Sequence, residues 1–166
     1  MLNISTAVPD WSREKKSVFT WDPSRSLLAS IRSYQRNAGS RNPFRMFAKR
    51  WAVLRHLFWS VVTGADIPLN CKIEGGLLLP HPNGIVIHPL ARIGPNCLIF
   101  QQVTIGVTKV GQAPPVIGGH VDIGSGAKIL GDVRIGDDAL IGANAVVLKD
   151  VPAGKTARSC CLAEVQ

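Results

Sequence analysis

From residue 87 onward an aliphatic side chain returns every six positions: Ile87, Ile93, Ile99 and Ile105, then Ile117, Ile123, Ile129, Ile135, Ile141 and Val147. The phase survives a gap at Gly111, which lies in the polar stretch VTKVGQAPP. Glycine commonly follows the aliphatic by one step, as at Gly94, Gly106, Gly118, Gly124, Gly136 and Gly142. Four steps after it comes a small or β-branched residue: Ala91, Cys97, Val103, Val121, Ala127, Val133, Ala139, Ala145 and Val151. A helix repeats every 3.6 residues and a strand every two, so neither alone yields a period of six. Short strands that turn a corner every six residues do, stacked into a parallel solenoid.

The expected fold is therefore mainly β, a left-handed parallel β-helix of hexapeptide repeats with a short N-terminal helical segment. Its narrow interior takes one branched residue per side with a small one beside it, which makes Cys71 and Cys97 inward core residues. An earlier set, Ile67, Ile73, Leu79 and Ile85, also steps by six but is two residues out of phase with the later one. Two extra residues must enter between Leu79 and Ile87, at the turn Pro80-His81-Pro82-Asn83-Gly84. The stretch around residues 107–116 is a second interruption and should project as a loop. Solenoids carry such insertions on one face, often the binding face.

Before residue 65 the period is helical. Asp22-Pro23 reads as an N-cap with proline at the first helical position, and Leu27, Leu28, Ile31 and Tyr34 share a face before Gly39. Asn42-Pro43 repeats the start signal. Phe44, Phe47, Trp51, Leu54, Phe58 and Val61 then form one stripe of an amphipathic helix closed by Gly64, with Arg45, Lys49, Arg50 and Arg55 between them. That stripe suits docking on the protein body or a second subunit, or peripheral association with a membrane. Of the net charge of +8, residues 1–66 carry +7 (eleven Lys/Arg against four Asp/Glu) and the remainder +1 (eight against seven). No nucleic-acid motif accompanies this basic segment. No apolar run approaches the roughly 18 residues that span a bilayer, and the first residues lack a signal pattern, so the expected location is the cytoplasm, including the inner face of the membrane. The four cysteines, Cys71, Cys97, Cys160 and Cys161, have neither zinc-ligand nor disulfide-framework spacing, and no metal is expected. The chain divides into a helical segment 1–65, a β-helix 66–154 and a tail 155–166.

The segments GLLLPHPNGIVIHPLARIG, QQVTIG and IGSGAKILGDVRIGDDALIGANAVVLKDVP resemble the serine acetyltransferase branch of the hexapeptide-repeat acyltransferases over about half the chain. The resemblance implies transfer of an acetyl group from acetyl-CoA to a hydroxyl, with His81 as general base and Asp66, fifteen residues upstream, orienting it. Imidazole suits the task because its pKa lies near neutrality, and a carboxylate on the far ring nitrogen fixes the tautomer. The resemblance also implies a homotrimer, or a dimer of trimers, with acetyl-CoA between subunits. Gly106, Ser125 and Ala143 match the cofactor-contacting positions, and Lys149 and Arg158 are candidate partners for its phosphates. His88 falls at a coil corner, while His56 and His120 show no partner in the sequence.

Three departures bear on the acceptor. True serine acetyltransferases carry an Asp-Arg-His-Pro sequence in the loop whose counterpart here, GVTKVGQAPPVIG, has neither Arg nor His, and Pro114 stands in place of the His. Without that cation a substrate carboxylate would be left unpaired. The helical portion, about sixty residues, is shorter than theirs, and ARSCCLAEVQ replaces their Gly-Val-Pro-Ala tail. The expected acceptor is therefore a sugar, a polysaccharide precursor or another small alcohol. Serine O-acetylation and a non-catalytic binding solenoid are the alternatives.

Overall fold

The computed structural model describes residues 4–17 and 20–158. Twelve short parallel strands form three four-stranded sheets, the faces of a triangular prism. The first face holds β2 (Val86–Ile87), β5 (Thr104–Gly106), β8 (Lys128–Leu130) and β11 (Val146–Val147). The second holds β1 (Lys72–Ile73), β3 (Arg92–Ile93), β6 (Val116–Ile117) and β9 (Arg134–Ile135). The third holds β4 (Leu98–Ile99), β7 (Asp122–Ile123), β10 (Leu140–Ile141) and β12 (Thr156–Ala157). From β2 to β11 consecutive strands lie on successive faces, and the bridges Leu78–Leu98 and Ile135–Val151 fill the skipped face at either end, the winding of a left-handed parallel β-helix. The last strand extends the coils into the segment read from sequence as tail. Residues 159–166, with Cys160 and Cys161, lie outside the described residues.

Every member of the six-residue aliphatic series is buried, as is every small residue four steps on, Cys71 and Cys97 included. Register locates the interruptions. Where the repeat is unbroken, partners in neighbouring coils stand eighteen residues apart, as in Val86 with Thr104 and Val116 with Arg134. Leu78 bridges Leu98, twenty residues on, whereas Val86 meets Thr104 at the ordinary spacing; the two extra residues therefore lie between Leu78 and Val86. Arg92 pairs with Val116 at a spacing of twenty-four, which accounts for the loop of residues 107–115. Leu140 pairs with Thr156 at sixteen, so the final coil is two residues short.

Two helices precede the coils. In α1 (Pro23–Asn37) the Asp22 side chain accepts a hydrogen bond from the Arg25 amide, and in α2 (Pro43–Thr63) Asn42 caps in the same way through the Phe44 amide. Left-handed Gly64 (φ 65°) ends α2. Leu27, Leu28 and Ile31 of α1 join the buried cluster of the coils and so cover the end of the solenoid, as an end repeat requires. Polar contacts hold the cap. Gln35 Nε2 donates to the Cys71 carbonyl at 2.8 Å, and Arg32 pairs with Glu14 at 2.8 Å while donating to the Glu74 carbonyl.

A strap ahead of α1, ending in a single 3₁₀ turn (Trp11–Glu14), lies along the coils and is fastened by a residue that the repeat pattern does not single out. Asn96 is fully buried at a left-handed corner (φ 61°). Its Oδ1 accepts from the Asp10 amide at 2.7 Å, and its Nδ2 donates to the carbonyls of Ser5 (2.7 Å) and Val8 (2.8 Å). Glu14 Oε1 accepts from the amides of Gly76 and Leu77 at 2.9 and 3.2 Å. Asn96→Gly keeps the corner unstrained but orphans three backbone groups of the strap. It should lower stability by about 2–4 kcal/mol, read as a lower urea midpoint at unchanged slope.

Candidate active site

The two-residue insertion makes the turn Pro80–Gly84 bulge from the edge between the third and first faces. Two prolines stiffen it, and it is pinned from the next coil: the Gln102 amide donates to the Asn83 carbonyl at 2.9 Å, and Gln102 Nε2 to Asn83 Oδ1 at 2.8 Å. Gly84 (φ 67°) is needed at its end, since a Cβ there would come within 2.5 Å of the Gln102 side chain. The turn presents His81, exposed, to a groove of about 710 Å³. Across the groove stand the N-terminal turn of α1, with Asp22, Ser24 and Arg25, and the C-terminal residues Val62 and Thr63 of α2.

Asp66 opens the first coil. Its backbone bridges Val86, and its side chain is exposed on the first face. Among the described residues no hydrogen bond joins it to the His81 ring. Its charge bears instead on His56 and Cys71. Burial lowers the His56 pKa and the Asp66 carboxylate opposes that fall; burial pushes the Cys71 thiol up to about 12, with Asp66 adding to the rise. Burial likewise raises Cys97 to about 11.

The other histidines are accounted for locally. His88 sits at a corner, its Nδ1 accepting from the Leu90 amide at 3.2 Å. Contrary to the sequence reading, His56 and His120 both have partners: His56 lies 3.3 Å from Ser30 Oγ and 3.4 Å from Ser60 Oγ, and His120 Nδ1 lies 2.7 Å from Asp138. In each case the partner comes from another element or the next turn, which spacing along the chain does not reveal.

Ser125, Ala143 and Arg158 lie on the same edge of the prism as His81, in successive coils: the Asn144 amide donates to the Ser125 carbonyl, and the Gly142 amide to the Ala157 carbonyl. Gly106 ends β5 on the adjoining first face, and Lys149 follows β11 at that face's far edge, on the side of the 107–115 loop. The loop is held by Thr108, whose amide and hydroxyl both donate to Gln112 Oε1, and its cation is Lys109. Two features escape the sequence reading. Arg25 faces the groove because α1 folds back onto the coils; its guanidinium is 3.3 Å from Asp22, a cap residue with no outward sign of a site. Gln101 Oε1 is buried with no hydrogen-bond partner, on the edge between His81 and Ser125. An unpaired buried acceptor is costly unless a ligand supplies a donor.

Residues 114–149 match the family described as bacterial transferase hexapeptide (six repeats). The chain is 45% identical over 98 residues to a serine acetyltransferase of Helicobacter pylori, covering 58% of this chain and 57% of that protein. It is 38% identical over 151 residues to a serine acetyltransferase of Staphylococcus xylosus, covering 84% of this chain and 68% of that protein. The chain belongs to the serine acetyltransferase family. A serine acetyltransferase solved in complex with CoA superposes with a TM-score of 0.68 at 32% identity, over 85% of this chain and 56% of that one. The chain thus spans little more than half the length of several relatives that it matches. Within this serine acetyltransferase fold Cys71 and Cys97 are coil filling. At pH 8 iodoacetamide should leave both unmodified in the folded protein and alkylate both in urea, as mass mapping of the two peptides would show.

Proposed function

We propose that the chain is an acetyl-CoA-dependent O-acetyltransferase whose acceptor is the hydroxyl of serine. The observation that carries this reading is the 38% identity to a serine acetyltransferase across 151 residues, which takes in the helices as well as the coils. Serine replaces the sugar expected from the shortened loop. The two relatives described above are serine acetyltransferases. The physical objection to serine, the missing loop cation, is met from elsewhere: Arg25 supplies a cation and Asp22 an anion to the wall facing His81. The two side chains, paired with each other at 3.3 Å in this structure, could exchange that pairing for the carboxylate and ammonium of an amino acid.

In this mechanism His81 accepts the serine hydroxyl proton as the oxygen attacks the thioester carbonyl carbon. The C–O bond forms, the tetrahedral intermediate collapses with loss of the C–S bond, and the imidazolium returns the proton to the departing CoA thiolate. The family resemblance gives Asp66 the role of positioning carboxylate, which requires the His81 ring to turn toward it from its place in this structure. Acetyl-CoA would be held along the edge that carries Ser125 and Ala143, where small side chains would let its pantetheine arm approach the backbone. Gly106, Lys149 and Arg158 complete the contacts, the last two toward phosphates. In this reading a second subunit of a homotrimer closes the groove along that edge. The exposed outward residues Val86, Leu140 and Val146 suit such contacts.

His81→Ala should lower kcat for CoA release with serine by about 10²- to 10⁴-fold while the urea midpoint stays unchanged. Arg25→Ala should raise KM for serine about 10- to 100-fold, the worth of a charge-assisted hydrogen bond, and change KM for acetyl-CoA little. An unchanged rate of CoA release in His81→Ala would remove the general-base role.

A further inference from the structure

The apolar stripe of α2 faces away from the protein. The helix packs on α1 through Ala52 and Thr63, both buried, with Trp59 and His56 half-buried beside them. On the opposite side Phe44 is 85% exposed, Phe47 71%, Trp51 56%, Leu54 59%, Phe58 55% and Val61 76%. At about 100° per residue, Arg50 and Arg55 project about 70° to either side of the stripe's midline. Arg45 and Lys49 add charge further round, and Pro43–Thr63 contains no acidic residue at all.

Charge decides what covers such a face. A second copy of α2 would bring arginines against arginines with no carboxylate to pair them. A nucleic acid would neutralise the arginines but leave Leu54, Phe58 and Val61 wet. An anionic bilayer offers hydrocarbon to the stripe and phosphates to its borders at once. No helix among the described residues is long and apolar enough to cross a membrane, so α2 would lie in the interface. We infer that α2 is a peripheral anchor that seats this chain on anionic phospholipid, through the Phe44–Val61 stripe bordered by Arg50 and Arg55. The anchor meets the coils at Gly64, two residues before Asp66, which places the His81 groove beside the lipid surface.

The test is sedimentation of the full chain with vesicles of phosphatidylcholine alone and of equal parts phosphatidylcholine and phosphatidylglycerol, at physiological and at high salt. Binding is expected to the mixed vesicles only and to weaken with salt. Arg50→Gln with Arg55→Gln should cut vesicle affinity about 10- to 30-fold, at about fivefold per cation. Phe47→Ser with Trp51→Ser and Phe58→Ser should abolish it, with the urea midpoint and CoA release in solution unchanged because these residues are exposed and stand apart from the groove. Absence of sedimentation with mixed vesicles would overturn the inference. So would a fall in oligomeric mass of the serine variant by light scattering, which would assign the face to a second copy.

Discussion

The narrow interior of the coil governs everything else in this structure. Each face admits one branched side chain per turn, and Ile87, Ile105 and Ile129 stack there at 1% exposure or less. Close packing of this kind tolerates neither a void nor an extra methylene. An inserted residue therefore cannot be absorbed inside and must leave the coil at a corner. The turn that carries His81 and the loop of residues 107–115 are the two places where that happens, and both stand out from the prism as a direct result.

The same constraint explains which parts of the protein could be read without coordinates. A period of six forces each aliphatic inward, so the fold, the buried cysteines and the site of the two-residue slip follow from counting. The helix starts at Asp22 and Asn42 were legible too, because an N-cap followed by proline is a local signal. Contacts between elements were not. Asn96 looks like an ordinary corner residue until the strap is laid over it, and Arg25 like an ordinary helix residue until α1 folds back over the turn. The stripe on α2 was legible as a stripe, but periodicity cannot say whether an apolar face is covered.

Arg25 changes the reading of the acceptor. From the loop alone a cation was missing, and a carboxylate in the site would have gone unpaired. In space the groove has both an acid and a base opposite His81, supplied by a helix some sixty residues earlier in the chain. The helical segment thereby serves the coils twice: Leu27, Leu28 and Ile31 close the end of the solenoid, and the first turn of the same helix lines the groove. The strap fastened through Asn96 and Glu14 also touches that turn, where Arg25 Nε donates to the Arg13 carbonyl at 3.2 Å, which links the stability of the cap to the geometry of the site.

The most direct measurement is a competition for acetyl groups. The chain is incubated with acetyl-CoA and equal concentrations of serine, glucose and glycerol, and the acetylated products are separated and quantified by mass spectrometry. The account predicts that O-acetylserine dominates. Acetylated glucose or glycerol accumulating while serine stays unmodified would contradict it.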